Sequence, residues 1–197
     1  MYLYIADNRD DARINCGILP ESFIKRAYLY KTEEKRADSL RGYHLLNNAL
    51  NGLGFDTCGA EIFSNEYGKP YIKNCPYFFS LSHSFGKSFC ALGNAEVGCD
   101  VEKIRKIDLS VAKRFFYRDE SDRVFSFSGE ERITEFFKIW TLKESFMKAV
   151  SKGFSLLPSS FSVLGESGKI VSEKDGFIPM TFIKDGFCFS VFSRERV

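Results

Sequence analysis

Asp185-Gly186 separates two runs with strand character, MTFIK and FCFSVF. Two residues reverse a chain only through a tight turn, so these runs must pair as an antiparallel hairpin. The middle of the chain predicts the same kind of sheet. There YFFSLSHS, KSFCALG and VGCDVE follow one another, the last two around Asn94-Ala95, with AEIFS and GKPYI before them. MYLYIA is a further strand at the start, and SFSVL and KIVS extend the final hairpin into a meander.

Helical periodicity fills the segments between. Residues 21–30 and 33–51 are predicted helices, the second with Leu40, Leu45, Leu46 and Leu50 as its apolar stripe. The glycines of NGLGFDTCG end it. Two more helices are predicted at roughly 108–127 and 130–151. Each half thus runs from helix to hairpin-rich sheet, which predicts an α+β chain divided into 1–97 and 98–197, the halves packed around a shared interface. FFSLSHSFGKSFCAL and MTFIKDGFCFSVFS also resemble each other as aromatic hairpins.

Composition narrows the classes. The 197 residues are 44% hydrophobic, enough for a packed core. A net charge of +2 gives no global electrostatic case for nucleic acid, so none is expected as a partner. Charge begins at Asp7, too early for a signal peptide or a membrane span, and no later run is long enough to span. A cytoplasmic protein without a membrane partner is expected. Six cysteines form no CxxC pair and only two histidines accompany them, which argues against zinc and for free thiols.

The stretch WTLKESFMKAV, residues 140–150, breaks its own pattern. Phe136, Ile139, Trp140, Leu142, Phe146, Met147 and Val150 share one helical arc, while Lys138, Thr141 and Ser145 fill the opposite, polar side. Lys143 falls inside the apolar arc and Glu144 at its edge, where a charge needs a partner, an ion or a ligand. A second acidic pattern lies in EVGCDVEK. In a strand, Asp100 and Glu102 share one face about 7 Å apart, close enough to share a cation. Gly98 beside them would let a ligand approach the backbone. Taken alone, the pair reads better as the solvated face of an amphipathic strand. With Glu144 as a third carboxylate, Mg²⁺ completed by substrate oxygens and water becomes the better reading. Lys143 and Lys148 then read as phosphate contacts, although one could snorkel to water and the other be a solvated helix edge. No GxxxxGK[ST] or GxGxxG explains a phosphate site, so Lys69, Ser82 and His83 are upstream candidates. A lone histidine in a hairpin is more often structural, and it is the position of His83 shortly before the acidic strand that makes it a candidate.

GCDVE at 98–102 followed by WTLKESFMK at 140–148 resembles the paired signature of the 4'-phosphopantetheinyl transferases, GxDxE and WxxKESxxK. EYGKP, LSHS and KGFSLLPSSFSV are similar to motifs of the longer, surfactin-synthetase-type branch. The resemblance implies two similar helix-plus-antiparallel-sheet halves related by a pseudo-twofold, with the site at their interface. It implies transfer of the 4'-phosphopantetheine arm of coenzyme A to a serine of an apo acyl or peptidyl carrier protein, releasing adenosine 3',5'-bisphosphate. Asp100, Glu102 and Glu144 would bind Mg²⁺. Lys143 and Lys148 would neutralise the pyrophosphate, with Lys148 assisting the leaving phosphate. Lys69, Ser82 and His83 would hold the nucleotide, His83 at the 3'-phosphate. Glu144 is also a candidate base, a role ranked below its metal role. A monomer is expected.

Two other classes fit parts of the pattern. A Mg²⁺-dependent phosphohydrolase could use the same carboxylates and lysines. A non-enzymatic adaptor for acidic partners could use Lys103, Arg105, Lys106, Lys113 and Arg114. For a carrier, the same basic run with Arg118 would form a charged rim, and Phe115 and Phe116 an apolar anchor, unless those phenylalanines are core.

Overall fold

The computed structural model describes residues 1–7, 16–151, 155–165, 168 and 173–195. Eight strands and five α-helices follow the order β1 (Tyr2–Asp7), α1 (Glu21–Ala27), α2 (Glu33–Gly52), β2 (Ile62–Ser64), β3 (Pro70–Ile72), β4 (Phe78–Ser84), β5 (Lys87–Gly93), β6 (Val97–Lys103), α3 (Ser110–Phe115), α4 (Arg118–Ser126), α5 (Gly129–Ala149), β7 (Ile178–Lys184) and β8 (Phe187–Ser193). The architecture is α+β, as predicted.

The two main sheets repeat one plan. Their orders are β1-β5-β4 and β6-β8-β7, antiparallel throughout. Phe78 faces Gly93 as Ile178 faces Ser193, so the two hairpins share a register one hundred residues apart. Both turn on a pair of positive-φ residues, Phe85-Gly86 (46° and 78°) and Asp185-Gly186 (52° and 76°). Such a turn matches the twist of the strands it joins. In this alignment β1 corresponds to β6, and the residues standing where Asp100 and Glu102 stand are Tyr4 and Ala6. Only one half therefore carries the acidic pair.

Phe89, Ala91, Val97, Cys99, Val101, Phe187, Phe189 and Val191 from β5, β6 and β8 form one buried cluster that joins the halves. α2 packs its stripe on the first sheet and α5 lies on the second. α5 is buried on nearly all sides, and its predicted polar side is in fact its sheet side. Thr141 and Ser145 are fully buried, and Thr141 Oγ1 lies 2.7 Å from Ser190 Oγ on β8. Small residues there let the helix lie directly on the strands. Gly98 completes this contact: a Cβ on it would stand 2.1 Å from Ser145 O and 2.2 Å from Ala149 N. The space predicted for a ligand at Gly98 is taken by α5.

Two predicted elements differ. The helix at 108–127 is broken between α3 and α4, where Phe116 turns extended (ψ 152°) and buries its ring against Phe136. SFSVL is not a strand. Its backbone groups are taken by side chains: Phe161 O accepts from Lys143 Nζ and Val163 N donates to Glu120 Oε1. KIVS lies outside the described residues. Among the described cysteines, 58, 75, 90, 99 and 188 are free. No helix of the described residues is long and apolar enough to cross a membrane.

Candidate active site

β4 and β6 are joined by side chains. The alternation of SLSHS puts Ser80, Ser82 and Ser84 on one face of β4. Their hydroxyls accept the backbone N–H groups of Cys99 (3.0 Å), Val101 (3.3 Å) and Lys103 (3.3 Å). Ser82 Oγ then donates to Asp100 Oδ1 at 2.7 Å and Ser84 Oγ to Glu102 Oε2 at 2.9 Å. Two serines at strand period thus orient two carboxylates at the same period. The Ser82 hydroxyl, expected at the nucleotide, faces β6 and is engaged there by Asp100 and Val101 N. Serines alternating opposite a DxE strand were the sequence signal for this pairing.

α5 brings the remaining charges. Lys148 Nζ lies 2.7 Å from Asp100 Oδ1 and 3.0 Å from Cys99 O. Burial pulls this ammonium down, but Asp100, with help from Glu144, outweighs burial and holds its pKa above the ordinary lysine value. Glu144, one turn before it, makes no hydrogen bond among the described residues. Burial and then Asp100 push its carboxyl above the usual range. Burial and Asp100 do the same to Glu102, against the pull of Ser84 and Arg105. The three carboxylates therefore repel one another in a shared low-dielectric region.

Asp100 Oδ2 is buried without a partner. An unpaired carboxylate oxygen beside two strained carboxylates suits a hard dication. Among the described residues, no group of three His, Cys, Asp or Glu is placed so that it could by itself hold a metal ion.

Lys143 does not join this group. Its ammonium is buried 2.6 Å from Glu120 Oε2 and 2.6 Å from Phe161 O, over the Phe161 ring. The two charges that interrupt the α5 arc have separate causes: Lys143 completes a buried pair, whereas Glu144 faces the cleft. The ammonium of Lys143, expected at a phosphate, has its donors directed at Glu120 and Phe161.

A cleft of about 430 Å³ opens between the halves, lined by α2, β4, the loop before β3, and α5. Lys69, His83, Glu144 and Lys148 all border it. Lys69 Nζ donates to Val97 O at 2.9 Å, and burial brings its pKa down to about 8. His83 Nδ1 stands 3.7 Å from Asp38 Oδ2. Burial lowers the histidine's pKa while Asp38 opposes the shift. Asp38, and Arg26 and Tyr43 in the cleft wall, were not anticipated; α1 and α2 offered only a run of charges without register. Of the basic residues expected at a docking rim, Arg105 is engaged here. Its guanidinium lies over the Phe85 and Phe137 rings, 3.5 Å from Glu102 Oε2.

A family model described as the 4'-phosphopantetheinyl transferase superfamily matches residues 96–192, the span from the acidic strand through β8. The chain is similar to the 4'-phosphopantetheinyl transferase ffp of Bacillus subtilis, with 38% identity over 181 residues, covering 84% of this chain and 81% of that one. It is 33% identical over 167 residues to the 4'-phosphopantetheinyl transferase Sfp of Bacillus subtilis (strain 168), covering 83% and 74%. The 4'-phosphopantetheinyl transferase AcpT of Salmonella typhimurium is 33% identical over 162 residues, covering 76% and 79%.

Proposed function

The chain belongs to the 4'-phosphopantetheinyl transferases, and from that premise we propose that it moves the 4'-phosphopantetheine arm of coenzyme A to a serine of an apo acyl or peptidyl carrier protein. Adenosine 3',5'-bisphosphate is the leaving group. The observation that carries this reading is the unpaired Asp100 Oδ2 beside Lys148 and Glu144 at the edge of a nucleotide-sized cleft.

Asp100, Glu102 and Glu144 would hold Mg²⁺, which when bound would neutralise pyrophosphate charge. The protein's own groups divide the rest. Lys148, kept protonated by its acidic neighbours, supplies a fixed positive charge to the departing phosphate. Lys69 and His83 line the cleft from the other half and hold the nucleotide, His83 at the 3'-phosphate. Glu144 faces the cleft without a hydrogen-bond partner among the described residues. It is therefore the carboxylate able to accept the serine proton, directly or through water, in addition to its metal role. Ser82 and Ser84 hold the acidic pair in place. The two halves pair their sheets around a pseudo-twofold, with one working site. The carrier meets exposed Lys106, Lys113 and Arg114, with half-buried Phe115 as the apolar element; Phe116 is core.

The test is direct. The protein is mixed with coenzyme A, Mg²⁺ and an apo carrier, and the carrier is weighed. A gain of one phosphopantetheine arm, lost on chelation of the metal, is expected. Release of inorganic phosphate with an unmodified carrier would replace this reading with a phosphohydrolase.

A further inference from the structure

Asn65 stands where the loop between β2 and β3 meets the other half. Its side-chain oxygen accepts the backbone N–H groups of Tyr67 (3.0 Å) and Lys69 (2.8 Å). Its own backbone N–H donates to Lys69 O, and Gly68, at φ 87°, donates to Asn65 O, each at 3.0 Å. The residue thus closes the Asn65–Lys69 loop on itself. Its side-chain nitrogen is directed elsewhere, donating at 3.0 Å to Ser151 O just beyond α5.

The two ends of this amide touch opposite walls of the cleft. The loop presents Lys69 and the helix presents Glu144 and Lys148; Gly68 and Ser151 are themselves cleft residues. Behind the loop, Arg26 donates to Ser64 Oγ (2.6 Å) and Gly68 O (3.0 Å). Arg26 braces the loop within its own half, whereas Asn65 ties it across to the C-terminal half.

We propose that Asn65 is a positioning residue that sets the width of the nucleotide cleft. Its oxygen shapes the loop that carries Lys69, and its N–H group fixes that loop to the end of the helix that carries Lys148. The inference rests on the reading of this cleft as the coenzyme A site. An amide is suited to the task because it offers an acceptor and a donor on one rigid plane. Aspartate keeps the acceptor but turns an unpaired carboxylate toward the Ser151 carbonyl. Alanine removes both functions, so the two variants separate loop shape from the tie between halves.

Steady-state transfer and amide hydrogen exchange are measured on the wild type, Asn65→Asp and Asn65→Ala. Asn65→Asp is expected to raise the KM for coenzyme A about tenfold with kcat changed by less than about threefold, the scale of one lost hydrogen bond. Its Tyr67 and Lys69 amides stay protected while exchange rises around Ser151. Asn65→Ala is expected to lose protection at Tyr67 and Lys69 as well, with a larger KM. The carrier KM is unchanged in both. A wild-type coenzyme A KM in Asn65→Asp, or unaltered exchange around Ser151, overturns the proposal. A wild-type protein that transfers nothing would instead sink the coenzyme A reading, and the exchange pattern still decides whether Asn65 ties the halves.

Discussion

Lys143 Nζ lies 2.6 Å from Glu120 Oε2, and both side chains are sealed from solvent. Glu120 also accepts from Tyr117 N and Val163 N. The pair therefore joins α4, α5 and the segment at Phe161–Val163. Removing one member leaves the other charge buried and uncompensated, a cost of about 3–5 kcal/mol. Lys143→Met should lower the denaturant midpoint accordingly, and Glu120→Leu added to it should restore part of the loss. Transfer per folded molecule should survive. Full stability with abolished transfer would return Lys143 to the phosphate site.

Gly98 should tolerate no side chain. The atoms that an added Cβ would meet, Ser145 O and Ala149 N, are backbone. They cannot rotate away, so α5 must lift from β6. Gly98→Ala is expected to cost at least about 3 kcal/mol, the upper range for overpacking. Thermal unfolding measures it, and a shift within error would show that α5 moves freely on the sheet.

Ser82→Ala separates two roles for one hydroxyl. If Ser82 orients Asp100, the Mg²⁺ concentration for half-maximal rate should rise about ten- to a hundredfold, the usual effect of losing a partner to a metal-binding carboxylate. A nucleotide contact would instead change discrimination between coenzyme A and dephospho-coenzyme A. Mn²⁺ binding followed by electron paramagnetic resonance gives the first quantity without turnover. Unchanged Mn²⁺ affinity would remove Ser82 from the metal side.

Lys69 predicts a pH dependence with a definite sign. Burial lowers its pKa from 10.5 to about 8, so its charge is lost as the pH climbs past that value. Between the folded and unfolded pKa values the unfolded chain binds more protons, so this group's penalty to stability is full below about 8 and is relieved toward 10.5. Ligand affinity should run the opposite way, because an anionic nucleotide needs the ammonium. The KM for coenzyme A should therefore rise above about pH 8, and Lys69→Arg should flatten the rise, since a guanidinium stays charged. An unchanged inflection in Lys69→Arg would place the titrating group elsewhere.

The hairpin at Asp185-Gly186, the strands on either side of it and the long helices α2 and α5 were legible in the chain, because turn chemistry and apolar period act over a few neighbouring residues. Glu144 was legible as a charge at the edge of an apolar arc, and the paired motifs grouped it with Asp100, Glu102 and Lys148. Their motifs pointed to a family, and the comparisons show it. The side of α5 that meets the sheet was not legible. Thr141 and Ser145 look like a solvated face, and only β6 and β8 beneath them make that face the buried one. Nor could the sequence say where Lys143 and Ser82 point. Lys143 meets Glu120 from a separate helix, and Ser82 meets Asp100 from a separate strand. A side chain's type and period are properties of its own segment. The partner that satisfies its charge or its hydrogen bond lies far along the chain, and only the packing of the halves brings the two within reach.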